Sequence, residues 1–153
     1  MSNNNNSSRL FAVRFLYTLI EKGQSVLTPE LVQDDQLNVK IDDFLNSYRE
    51  PDQENPYSDI SDEQVFRAKE IIKNIQSSLE NFHETINSHL KQDFSALKKM
   101  DYCILLVGTC EIQKLSVPFQ VIANEMVQIS KEFSSENSPQ FINGVLDGIG
   151  KNS

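Results

Sequence analysis

One run of apolar residues constrains the fold more than anything else in the chain. Val65, Ala68, Ile72, Ile75, Leu79, Phe82 and Ile86 are spaced alternately three and four apart. That spacing lines one face of an α-helix and no face of a strand. Ser61 and Gln64, just ahead of the run, suit the reciprocal hydrogen bonds of a capping box, so one long helix is expected from there through Ile86. Such a stripe serves either a coiled coil or the core seam of a helical bundle, and the bundle is its commoner use.

The flanking segments read the same way. The chain has only five glycines and five prolines, and they fall where helices would begin or end. Ser7 or Ser8 is expected to cap a first helix that reaches about Lys22, with Gly23 closing it. Leu10, Phe11, Ala12, Phe15, Leu16, Leu19 and Ile20 make this helix apolar around most of its circumference, as in a buried helix. Arg9, Arg14 and Thr18 are its polar positions. Thr28-Pro29-Glu30 reads as the start of a second helix carrying Leu37, Ile41, Phe44, Leu45 and Tyr48. Arg49 to Asp59 is an acidic loop, and Phe94 and Leu97 belong to a short helix or turn.

Asp101 is placed to cap a helix through Cys103, Leu106, Val107 and Cys110 to Leu115. Val-rich Cys103 to Val107 also fits a strand, but no strand partner exists for it. Ser116-Val117-Pro118 then opens a helix with Ile122, Met126, Ile129 and Phe133 on one side; Val117 is placed to staple its entry and Pro118 to fix its first turn. A last helix starts near Pro139, carries Phe141, Ile142, Val145, Leu146 and Ile149, and ends at Gly150. The pattern predicts an all-α fold. Its 153 residues suit one domain, with residues 1–8 a disordered tail and 9–150 the folded part.

The chemistry is mostly a matter of exclusions. No apolar run approaches the roughly 20 residues of a membrane span, and the Asn- and Ser-rich N-terminus lacks the basic region of a secretory signal. A cytoplasmic location is the expectation. Cys103 and Cys110 would sit two turns apart, roughly 10 Å of helix rise, beyond disulfide reach; both read as buried free thiols. His83 and His89 have no ligand cluster around them and read as polar helix-face residues, so no metal is expected. No phosphate loop, nucleophile elbow or dinucleotide fingerprint is present. The chain reads as a non-enzyme without a cofactor. Its formal charge of −8, from 14 basic and 22 acidic side chains, is awkward for binding RNA and favours a basic protein partner.

Sequence motifs sharpen this. Val117-Pro118-Phe119-Gln120-Val121-Ile122-Ala123-Asn124-Glu125 resembles the "VP.KVAINE" stretch of the NusB family. Ile129-Ser130-Lys131-Glu132-Phe133 is similar to its "LAK.F", and Ser138-Pro139-Gln140-Phe141-Ile142-Asn143-Gly144-Val145-Leu146-Asp147 to its "S..FVNGVLD". The three lie in family order at near-family spacing. Ser8 to Tyr17 resembles "AR..AVQALY", and Asp101 to Ile112 fits the helix ending in "YEL", with Cys110 in place of the tyrosine. Only Gly23 to Ser61 is featureless against the family. Two departures stand out: Asn3 to Asn6 and Ser7 replace an arginine-rich N-terminus, and Leu106 stands where the family has the arginine of "LR.A".

The resemblance implies about seven helices in two small bundles, of three and four helices. It implies a transcription antitermination factor that binds the boxA element of ribosomal RNA leaders and a small-subunit ribosomal protein acting as NusE, within the transcription elongation complex. Carried over by position, Arg9, Phe141 and Asn143 fall on the RNA side, Tyr17 and Asp101 on the ribosomal-protein side. The residues alone leave alternatives open. Phe141 is either core or a platform for an unstacked base, and Asn143-Gly144 marks either a close helix approach or an RNA-facing edge. Asn124 and Glu125 either bond a neighbouring helix end or face water. Two rival functions remain: a helical scaffold with weakened RNA binding, or the NusB-like part of a ribosomal-RNA methyltransferase, which would need a further α/β domain beyond residue 153.

Overall fold

In the computed structural model, residues 2–21, 34–51, 55–91 and 96–152 are described. They form α1 (Ser2–Glu21), α2 (Asp34–Tyr48), α3 (Asp62–Ser77), α4 (Leu79–Ser88), α5 (Lys99–Gln113), α6 (Phe119–Phe133) and α7 (Ser138–Lys151), with no strand among them. The expected helix starts at Thr28-Pro29 and stop at Gly23, and Phe94, lie outside the described residues. The chain divides into two compact units, Met1–Ser77 and Ser78–Ser153. The first holds α1 to α3 and the second α4 to α7, which is the three-plus-four arrangement expected from the resemblance.

In the N-terminal unit, α1 is buried along Ser8 to Val13 and at Phe15, Leu16, Leu19 and Ile20, and packs chiefly on α3. It begins at Ser2, ahead of the cap expected at Ser7 or Ser8. The Ser8 hydroxyl instead donates to the Gln64 carbonyl at 2.8 Å, tying the two helices. Phe11, Phe15, Phe44 and Tyr48 meet as a cluster with ring centroids 4.9–5.5 Å apart, mostly edge to face. Arg14 lies over the Tyr48 ring and donates to the Asn55 side chain, whose own amide donates to the Tyr48 carbonyl. The capping box forms as read: Ser61 Oγ accepts from the Gln64 N–H, and Gln64 Oε1 from the Ser61 N–H.

The single helix expected from Ser61 to Ile86 is in fact two. Ser78, at φ −126° and ψ 22°, leaves the helical region between α3 and α4, and the unit boundary falls there. The stripe hid the break because Ile75, Leu79, Phe82 and Ile86 keep their spacing through it. Serine hydroxyls compete for backbone groups, so Ser77-Ser78 is a natural place to interrupt a helix.

In the C-terminal unit, every residue of α5 from Asp101 to Glu111 is buried. A helix apolar all round is a central helix, and α4, α6 and α7 pack around this one. Cys103 and Cys110 are both buried, and neither forms a disulfide. Ser116, at φ 56°, turns the chain after α5, and Val117 N–H donates to the Glu111 carbonyl. Ser116 therefore closes the preceding turn, and Pro118 sits at the N-cap of α6 instead of inside its first turn.

Candidate functional site

The site is built on α7. Pro139 in its first turn removes an N–H that would have no helical partner, which favours a helix start there. Ile142, Val145, Leu146 and Ile149 then follow the helical period and face the core. Gln140, Asn143 and Gly144 remain exposed on the opposite edge, and Phe141 is half-buried between the two faces. Phe141 lines two hollows. One, of about 240 Å³, also has Lys98, Asp101 and Asn137 in its wall. The other is a cleft of about 500 Å³ bounded by His89, Lys91, Gln140, Asn143 and Gly144 as well.

Phe141 and Asn143, both expected on the RNA side, thus share one cleft. The open question over Gly144 is answered by its surroundings: among the described residues a Cβ there would meet nothing within 4 Å, so no described helix approaches it closely. Gly148 is the close approach instead, where a Cβ would lie 2.8 Å from the His89 ring. His89 is held from both ring nitrogens. Nδ1 donates to the Thr85 carbonyl at 2.9 Å and Nε2 accepts from the Asn152 amide at 3.3 Å. His83, by contrast, is turned away to the Tyr102 hydroxyl, 3.1 Å from its Nδ1.

Sequence reading missed His89, Lys91 and Gln140 as cleft residues. His89 looked like any polar helix position, and Lys91 follows the end of α4, where no periodicity assigns it to a face. Only the packing of α4 with α7 brings His89 and Lys91 beside Phe141, whereas Gln140 precedes it on α7 itself.

Asp101 departs from its expected role as a helix cap. α5 starts before it, and the residue is 3% exposed. Oδ1 accepts from Ser134 Oγ and Oδ2 from Ser138 Oγ, at 2.5 and 3.1 Å. The carboxylate therefore ties the first turn of α5 to the end of α6 and the start of α7, and its charge suits a helix N-terminal turn. Lys98 Nζ reaches Ser135 Oγ of the same serine group at 2.5 Å. Next to Asp101, burial pushes the Tyr102 phenol and the Cys103 thiol well above their ordinary pKa values, which keeps both protonated and the thiol unreactive.

The other two expected site residues lie on α1. Tyr17 is half-buried. Arg9 is 2% exposed and its Nη1 donates to Asn6 Oδ1 at 3.0 Å. Among the described residues no group of three or more His, Cys, Asp or Glu is placed to hold a metal ion. No described helix is long and apolar enough to cross a membrane. Asn124 is exposed and Glu125 half-buried on α6.

Comparison with known proteins matches residues 6–151 to the model of the NusB family. Among curated proteins, the transcription antitermination protein NusB of Wolinella succinogenes is 43% identical over 83 residues, covering 54% of this chain and 62% of that protein. The NusB of Campylobacter jejuni is 32% identical over 115 residues, covering 74% of this chain and 80% of that protein. Among solved structures, NusB of T. maritima superposes with a TM-score of 0.73 at 21% identity, over 96% of this chain and 90% of that one. That structural likeness is one of fold.

Proposed function

The chain belongs to the NusB family, and on that premise we propose that it binds boxA-type leader RNA jointly with the small-subunit ribosomal protein that acts as NusE, and so enters the transcription elongation complex. The observation that carries the RNA part is the cleft on α7. A half-buried aromatic ring beside an exposed amide and a lysine is the equipment a single-stranded RNA reader needs. In this reading Phe141 stacks on a base and Asn143 bonds a base edge. Tyr17 contacts the ribosomal protein. Asp101 acts on that contact by fixing the ends of α5, α6 and α7, since its carboxylate is buried and bonded within the chain. Arg9 reaches a phosphate only by leaving Asn6 and its buried position.

The charge of −8 gives the joint mechanism its logic. The chain alone repels RNA at long range, and a basic partner neutralises its acidic surface while offering phosphate contacts of its own. The test is fluorescence anisotropy of a labelled boxA-type RNA, titrated with this chain in the absence and presence of the ribosomal protein. The expected result is markedly tighter binding with the partner. RNA bound equally well without it would overturn the joint mechanism.

A second reading is favoured by the burial of Arg9: a scaffold that keeps the ribosomal-protein contact and has lost the RNA contact. The same titration separates the two, because the scaffold binds the ribosomal protein and adds nothing to its RNA affinity.

A further inference from the structure

Gly144 is the odd glycine of the C-terminal unit. Glycine within a helix is about 1 kcal/mol less favourable than alanine, so its presence there calls for a cause. Gly108, Gly148 and Gly150 each have one: a Cβ would run into Leu146, His89 and Phe119 respectively. Gly144 has none among the described residues, where a Cβ would meet nothing within 4 Å, and its backbone is ordinary α-helix within α7. The space it leaves clear belongs to the Phe141 cleft, which it lines.

We infer that Gly144 keeps open the floor of a subsite for one nucleotide of single-stranded RNA, with Lys91 as its phosphate contact. This rests on the RNA-binding reading above and assigns residues within it. Three further features support it. The cleft, about 500 Å³, lies within the roughly 300–1,000 Å³ typical of small-molecule sites. Its polar wall is fixed in advance, because His89 is held by Thr85 and Asn152 and packs on Gly148. Lys91 is exposed at the mouth of the cleft, where its flexible side chain reaches solvent. A base stacked on Phe141 presents its edge to the Gln140 and Asn143 amides, and the absence of a side chain at 144 lets it lie flat against α7.

The experiment uses the full chain with its ribosomal partner, and labelled boxA-type RNA as the probe. Gly144→Ala and Gly144→Leu are expected to melt at or above the wild-type Tm, since the added atoms meet none of the described residues. Gly144→Leu is expected to weaken RNA binding by about 5- to 150-fold, the equivalent of one lost stacked base. Lys91→Ala is expected to flatten the dependence of log affinity on log salt by about 0.7, the value of one phosphate contact on a single strand. Wild-type RNA affinity for Gly144→Leu at an unchanged Tm overturns the subsite while leaving the RNA-binding reading intact. No RNA binding by the wild-type complex overturns both. A lowered Tm for both glycine variants contradicts the open space on which the inference stands.

Discussion

The N-terminal unit is filled by rings, whereas the C-terminal unit is wrapped around one helix with almost no free surface. Phe11, Phe15, Phe44 and Tyr48 meet at 4.9–5.5 Å in the first. In the second, α5 is buried from Asp101 to Glu111, and Gly108, Gly148 and Gly150 lie where a Cβ would strike a neighbouring side chain. The two kinds of core fail differently. A ring cluster derives its stability from a few large contacts, so it is damaged by taking atoms away. A core in close approach through glycine is also damaged by adding them. The difference bears on the proposed function as well: the closely packed unit holds the exposed edge of α7 in a fixed position, as the proposed base-binding cleft requires.

The largest expected effect belongs to the ring cluster. Phe11→Ala removes a fully buried ring, and its cost should be about 3–5 kcal/mol in urea unfolding. A loss below about 1 kcal/mol would mean the rings do not hold the N-terminal unit. In the C-terminal unit the complementary change is Gly150→Ala, which sets a methyl against Phe119 and should cost about 1–3 kcal/mol. The same substitution at Gly144 should cost nothing. Equal losses at the two glycines would erase the distinction between a packed and an open helix edge.

Alkaline pH should act on the C-terminal unit more than on the N-terminal one. Tyr102 and Cys103 are raised by burial, and their ordinary values are 10.0 and 9.0. Above those values the unfolded chain sheds protons that the folded unit retains, so unfolding becomes more favourable as pH rises. The stabilisation is complete below the ordinary values and is lost progressively towards the raised ones, at about 1.4 kcal/mol per pH unit per group. Tyr48 of the N-terminal unit is also raised by burial, but the Arg14 charge and hydrogen bond beside it act in the opposite direction. Urea unfolding followed from neutral into alkaline pH, with a probe in each unit, should show the C-terminal unit weakening more steeply. A steeper loss in the N-terminal unit would reverse the assignment.

Legibility in the sequence followed periodicity. The helices, the Ser61–Gln64 capping box and the buried thiols were all readable, because each depends on spacing or on a local hydrogen-bond pattern. The break at Ser78 was not, since the apolar stripe runs through it in register. The burial of Arg9 and Asp101 was not legible either, for another reason. An arginine or aspartate in sequence carries the expectation of water, and only tertiary partners such as Asn6, Ser134 and Ser138 make burial tolerable. The cleft was half legible. Phe141 and Asn143 lie on one helix within reach of a motif, whereas Lys91 and His89 join them only through packing. Gly144 and Gly148 look alike in the sequence; space for a Cβ tells them apart.

The proposed RNA path runs along the α7 edge of the C-terminal unit. The most direct measurement is photo-cross-linking of a thiouridine-substituted boxA-type RNA in the complex with the ribosomal protein, with the attachment sites on this chain mapped by mass spectrometry. The account predicts cross-links at Phe141 and its neighbours Gln140 and Asn143, with a second group around His89 and Lys91, and their loss in Gly144→Leu. Cross-links confined to α1, with none on α7, would contradict it.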